Sequence, residues 1–97
     1  MRSGRVNGSE KHRDILLELH KTYIKKNHDY GDSFGELYRM FGPITALVRI
    51  WDKVKRLTSL YSKKGKVKDE SIKDTLYDLA NYAILTIMEI EKSEDND

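Results

Sequence analysis

Along most of this chain apolar residues recur every three or four positions, the spacing that gives a helix one apolar side. Over residues 10–26, Ile15, Leu16, Leu19 and Tyr23 share a face while Glu18, Lys21 and Lys25 turn away. This predicts a first helix with Ser9 as its N-cap. The stretch Asn27 to Asp32 interrupts the rhythm with turn-forming residues and predicts a short loop. Ser33 and Glu36 stand three apart, as in a capping box. They predict a short helix carrying Leu37, Tyr38, Met40 and Phe41 and ending at Gly42. Pro43 suits the first position of the next helix, 43–62, in which Ile44, Leu47, Val48, Trp51, Val54 and Tyr61 keep the same rhythm. A lysine-rich turn over 63–68 follows, with its cations where a helix C-terminus favours them. Asp69 as N-cap and Glu70 in the first turn then open a last helix, ending at about Lys92.

That last helix is apolar around most of its circumference. Ile72, Leu76, Leu79, Ala83, Ile87 and Ile90 form one face, and Ala80, Ile84, Leu85 and Met88 extend it. A helix of this kind must be covered on most sides. In so short a chain a second subunit is an economical cover, and a dimer or larger homo-oligomer is expected. The fold class expected is all-α: a small helical bundle of three main helices plus one short helix. Residues 9–92 form its single domain, between a disordered polar N-terminus (1–8) and an acidic disordered tail (93–97).

Composition narrows the classes of function. No apolar run approaches the roughly 18 residues of a membrane span, and no signal-peptide pattern opens the chain. Cysteine is absent, which excludes disulfides and thiolate metal sites. A soluble cytoplasmic protein is expected. The net charge of +2 is the small difference between 18 basic and 16 acidic residues, too balanced to imply a nucleic-acid partner such as duplex DNA.

The candidate chemistry lies in two charged stripes. Arg49, Asp52 and Arg56 share a narrow sector of helix 43–62, with Lys53 at its edge. Glu70, Asp74, Asp78 and Asn81 form the second, on the last helix. Two meanings stand open: a structural seam of ion pairs, or a ligand site in which arginines grip phosphate while the acids orient them or hold Mg²⁺. Tyr30 and Phe34, beside a glycine and a helix start, are either core plugs or a platform on which a base stacks. His12, His20 and His28 lie eight apart and do not share a helix face as i, i+4 metal ligands would.

Three segments carry a resemblance. They are Lys26-Asn27-His28-Asp29-Tyr30-Gly31-Asp32-Ser33-Phe34, then Arg49-Ile50-Trp51-Asp52-Lys53-Val54-Lys55-Arg56-Leu57, then the run from Asp69 to Ala83. Together, over roughly residues 10–91, the chain resembles the small phage and bacterial family called nucleotide modification associated domain 1. The resemblance implies a setting in nucleotide metabolism in the bacterial cytoplasm, without an established reaction. The family is loosely similar to the all-α nucleoside triphosphate pyrophosphatases of the MazG and dimeric dUTPase type, which hold Mg²⁺ with E-x-x-E and E-x-x-D motifs. Here the first motif's place reads Arg49-Ile50-Trp51-Asp52, which reverses the local charge and favours direct phosphate binding.

Three functions are weighed accordingly. The first is a phage-type binding protein that grips, and sequesters, a nucleotide or a nucleotide-derived signal. In it Arg49, Lys53 and Arg56 meet phosphate, Asp52, Asp74, Asp78 and Asn81 hold the arginines or a sugar, and Tyr30 and Phe34 stack on a base. The alternative is a Mg²⁺-dependent pyrophosphohydrolase with Glu70, Asp74 and Asp78 as metal ligands, joined by Asp52. The third is an oligomeric accessory protein whose ion pairs are only structural.

Overall fold

The computed structural model describes residues 7–63 and 66–95, with the backbone alone for 66–68. These residues form four helices and no strand: α1 (Gly8–Tyr30), α2 (Ser33–Phe41), α3 (Ile44–Tyr61) and α4 (Lys66–Asp95). The all-α expectation is met. None of these helices is long and apolar enough to cross a membrane. The chain divides into two compact units, one ending at Gly31 and the other beginning at Asp32.

The first unit is α1. Its N-cap is Asn7 rather than Ser9: Asn7 Oδ1 accepts from the Glu10 N–H at 2.8 Å, and its Nδ2 donates to Glu10 Oε1 at 3.1 Å. This is the reciprocal geometry of a capping box, built on asparagine. The helix also outruns the expected loop. Asn27, His28, Asp29 and Tyr30 complete its last turn, and Gly31 ends it at φ 71° with its N–H on the Asn27 carbonyl. The left-handed φ is what glycine supplies at a helix end. Of the expected disordered N-terminus, residues 1–6 lie outside the described residues, while Asn7 and Gly8 are ordered by the cap.

The second unit holds α2, α3 and α4. Asp32, one residue before the expected Ser33, caps α2 by accepting from the Gly35 N–H at 3.2 Å. Gly35 is buried, and a Cβ at that position would run into the Asp32 carboxylate, so this cap requires glycine there. Gly42 ends α2 at φ 79°, and Pro43 serves as the N-cap of α3 rather than its first residue. Thr45 Oγ1 donates back to the Leu37 carbonyl at 3.2 Å and fastens this corner.

Helices α3 and α4 form an antiparallel hairpin. Ser62 and Lys63 close the end of α3 on the carbonyls of Ser59 and Leu60; residues 64 and 65 of the expected lysine-rich turn lie outside the described residues. Helix α4 starts at Lys66, three residues before the expected cap Asp69, and continues through Asp95, past the expected end near Lys92. Residues 93–95 of the expected tail are therefore helical, and 96–97 lie outside the described residues. Ala46 and Ile72 are the buried apolar residues of this unit among those described. The expectation that α4 is buried on most sides is not met within the chain: Leu76, Ile84, Ile87 and Ile90 are exposed.

Candidate functional site

Between α3 and α4 lies a cleft of about 470 Å³, lined by Asp52, Lys53, Lys55, Arg56, Ser59, Ser71, Asp74, Thr75 and Asp78. Ligand pockets commonly span roughly 300–1,000 Å³, so a small molecule fits. Every lining side chain is charged or hydroxylic. Three cations, Lys53, Lys55 and Arg56, stand against three carboxylates, Asp52, Asp74 and Asp78.

Thr75 is the hinge of the arrangement. Its side chain is 2% exposed. Its Oγ1 donates to the Ser71 carbonyl at 2.7 Å and accepts from Arg56 Nε at 3.2 Å. One edge of the guanidinium is thereby fixed by a buried hydroxyl, and among the described residues no carboxylate pairs with its terminal nitrogens. Lys53 is held differently. Its Nζ lies 3.7 Å from Asp78 Oδ2 and 3.8 Å from Asp52 Oδ2, and 6.0 Å from the centre of the Tyr82 ring. The Tyr82 ring in turn packs against Phe34 at 5.7 Å between centroids, and Phe34 against Tyr38 at 6.0 Å. An aromatic chain from α2 thus supports the lysine from beneath.

Of the residues expected to form the site, Asp52, Lys53, Arg56, Asp74 and Asp78 meet in this cleft. Arg49 is exposed, Asn81 and Glu70 stand on α3's partner helix, and all three lie outside the cleft lining. Phe34 is half-buried among rings, which answers to its alternative as a core plug. Tyr30 is 76% exposed on the last turn of α1, so it is not a core plug. Sequence reasoning missed Lys55, Ser59, Ser71 and Thr75. The signal was present: Ser71, Asp74, Thr75 and Asp78 are a polar i, i+3, i+4, i+7 stripe on an otherwise apolar helix.

The acids fit a metal centre poorly. Glu70, Asp74 and Asp78 follow one another along α4, and Asp78 already faces Lys53. Among the described residues no three His, Cys, Asp or Glu side chains are grouped to hold a metal ion. The donor set offers isolated carboxylates rather than the cluster a hydrolytic metal site uses.

A second polar cluster lies at the other end of the hairpin. Glu89, 5% exposed, accepts from Arg39 Nη1 at 3.2 Å and from Lys92 Nζ at 3.0 Å. Arg39 Nη2 also donates to Asp32 Oδ2 at 3.0 Å. The bond to Asp32, and then the charge of Glu89, raise the Arg39 pKa above its ordinary value. Asp32, the cap of α2, is thereby linked through Arg39 to α4. Each charge has an opposite partner, and the cluster is a structural tie.

A family model described as nucleotide modification associated domain 1 matches residues 26–90. The match begins later than the resemblance suggested and leaves out most of α1. No curated protein and no solved structure matches the chain. The matched segment contains α2, α3, most of α4 and every residue of the cleft, and the chain belongs to the nucleotide modification associated domain 1 family.

Proposed function

We propose that the α3–α4 cleft binds the phosphate of a nucleotide or nucleotide-derived signal, and that the protein holds this ligand without cleaving it. Arg56 carries the reading. A planar guanidinium anchored by Nε on a buried threonine presents its terminal N–H groups as a fork, the geometry that matches phosphate oxygens. Lys55 adds positive charge at the same wall. Asp74 and Asp52 supply acceptors for sugar hydroxyls. The family description, which names nucleotide modification, agrees with a nucleotide as the ligand class. The bacterial cytoplasm, with a phage as the source of the chain, is the setting we infer from the resemblance.

The test is thermal unfolding with AMP, ADP, ATP, cyclic nucleotides and ADP-ribose, each with and without Mg²⁺. A compound at 100 times its Kd stabilises by about 2.7 kcal/mol, a visible rise in Tm. Arg56→Ala should abolish the rise. No shift with any compound would sink the proposal. Chromatography of the same mixtures should return every nucleotide intact; products would restore the hydrolase reading.

One observation favours a second reading. Lys53 is already engaged by Asp78 and by Tyr82, as in a structural ion-pair seam. If Lys53→Met and Asp78→Asn lower Tm while no ligand is found, the accessory-protein reading stands.

A further inference from the structure

A helix in a globular protein turns its more apolar side inward. Helix α4 does the reverse. The line it directs at α2 and α3 runs Ile72, Thr75, Leu79, Tyr82, Thr86, Glu89, and half of these are threonine or glutamate. About a quarter turn further round runs Leu76, Ala80, Ala83, Ile87, Ile90, wholly apolar. That second line faces water: Leu76, Ala83, Ile87 and Ile90 are exposed, Ile87 at 54%. Its steps of four, three, four and three are the spacing of a seam that receives another helix.

Helix α3 also carries an exposed apolar stripe. Ile44, Leu47, Val48 and Trp51 are exposed, Trp51 at 65%. The Arg56–Thr75 and Lys53–Asp78 contacts set the antiparallel register of the pair. In that register Trp51 stands level with Ala80, Val48 with Ala83 and Ile44 with Ile87. On α4 the cleft residues and the apolar residues lie on opposite sides of the inward line, and on α3 Asp52, Arg56 and Ser59 are likewise opposite the apolar residues, while Lys55 sits at the edge of the apolar stripe. The rotation from cleft to apolar stripe has the same sense on both. In antiparallel helices this places both apolar stripes on one side of the hairpin and the polar cleft on the other.

We infer that a second copy of this chain covers this face, two α3–α4 hairpins packing as a four-helix bundle across a twofold axis. The seam spacing calls for a helix as occupant. The face is self-complementary, as an isologous contact requires: a twofold turn brings bulky Trp51 of one copy onto the shallow strip of Ala80 and Ala83 of the other. Its area also suffices. The half-exposed apolar side chains of α3 and α4, with Met40 and Phe41 of α2, present on the order of 1,000 Å², comparable to the ~800 Å² per partner of a standard interface. The packing deficit points the same way, since the buried apolar residues described in this unit are Ala46 and Ile72.

The experiment is analytical ultracentrifugation of the full chain from nanomolar to high micromolar concentration, with emission of Trp51, the one tryptophan, followed in parallel. The expected result is a particle of twice the 11.4 kDa chain mass, with Trp51 emission blue-shifted and moving red on dilution. Ala83→Glu places two charges on the axis and should weaken association by roughly a hundredfold or more. Should that variant fold poorly by circular dichroism, Val48→Lys repeats the test at the same level on α3. Tm of the unaltered protein should also rise with concentration. A folded particle of single-chain mass at every concentration overturns the inference. So does a dimer whose Trp51 emits as a solvated indole and whose mass survives both substitutions.

Discussion

Thr75 allows folding and the proposed binding to be separated at one buried atom. Thr75→Val keeps the branched shape and exchanges the hydroxyl for a methyl. Two hydrogen bonds go: the donation to the Ser71 carbonyl and the acceptance from Arg56 Nε. Neither partner is stranded, because the Ser71 carbonyl keeps its helical N–H and Arg56 is exposed to water. The loss is therefore the net value of ordinary hydrogen bonds, about 1 kcal/mol each, without the larger penalty of a buried orphan. The new methyl, buried where Thr75 is 2% exposed, returns about 0.8 kcal/mol. The balance is a destabilisation of roughly 1 kcal/mol, or about 4–8 °C in Tm for a domain of this size. Thr75→Ala loses the same bonds and leaves a cavity, and should cost roughly 2–3 kcal/mol. Thr75→Ser keeps the hydroxyl and loses about one methyl, roughly 1 kcal/mol.

In nucleotide affinity the order should differ. Serine still anchors Arg56 and should bind nearly as well as threonine. Valine and alanine free the guanidinium and should bind roughly tenfold more weakly, the ~1.4 kcal/mol of one charge-assisted bond's orientation. Melting curves and isothermal titration with the tightest-binding nucleotide read the two orders. The Arg56 Nε–H resonance should be protected from exchange in the threonine and serine proteins and unprotected in the other two, which checks the anchor without a ligand. If valine binds as tightly as serine, or the Nε–H stays protected in it, Thr75 does not position Arg56 and the reasoning fails.

Other perturbations follow from the same structure. Glu89→Gln removes the charge that Arg39 and Lys92 share and should cost roughly 1–2 kcal/mol in urea unfolding. Lys92→Ala, one turn along the same helix, should cost about 0.3 kcal/mol; equal costs would show that the tie across to α2 adds nothing. Gly35→Ala should cost roughly 1–2 kcal/mol by expelling the Asp32 cap, and almost nothing once Asp32 is already alanine; simple additivity of the pair would refute the cap. Gly42→Ala forces a side chain to φ 79° and ψ −163°, a region that only glycine occupies freely, and should lower stability by roughly 1–3 kcal/mol, with Gly42→Asn no better, as thermal melts will show.

Periodicity in the sequence was enough to locate the helices and five of the nine cleft residues. Their boundaries were less legible, for local reasons. Asn27 to Tyr30 are weak helix formers, but nothing in them forbids a helix, and Gly31 supplies the left-handed exit that lets α1 continue to Tyr30. Asp32 and Ser33 are both good caps, and the choice between them is bound up with Gly35, whose missing side chain makes room for the aspartate. Thr75 escaped notice because threonine in mid-helix is commonly neutral, and only the approach of Arg56 from α3 gives it a role. Arg39 and Glu89 are fifty positions apart, beyond any pattern of spacing along one helix.

The sequence also posed a conflict that the single chain leaves open, and it leads to a last prediction. Helix α4 reads as buried on most sides, yet in the structure its most apolar line lies in water. The proposed second copy would resolve the conflict and leave the α4 wall of the cleft open, because the apolar stripe and the cleft stripe leave α4 on opposite sides of its inward line. Binding and assembly should then be separable. Ala83→Glu, made monomeric, should keep the nucleotide affinity of the dimer within roughly threefold, since all nine residues lining the cleft belong to one chain. Arg56→Lys should lose affinity while sedimenting as the unaltered dimer does. Were Ala83→Glu to fold as a monomer and lose binding altogether, the cleft within one chain would be only part of the site, and residues of the second copy would have to complete it.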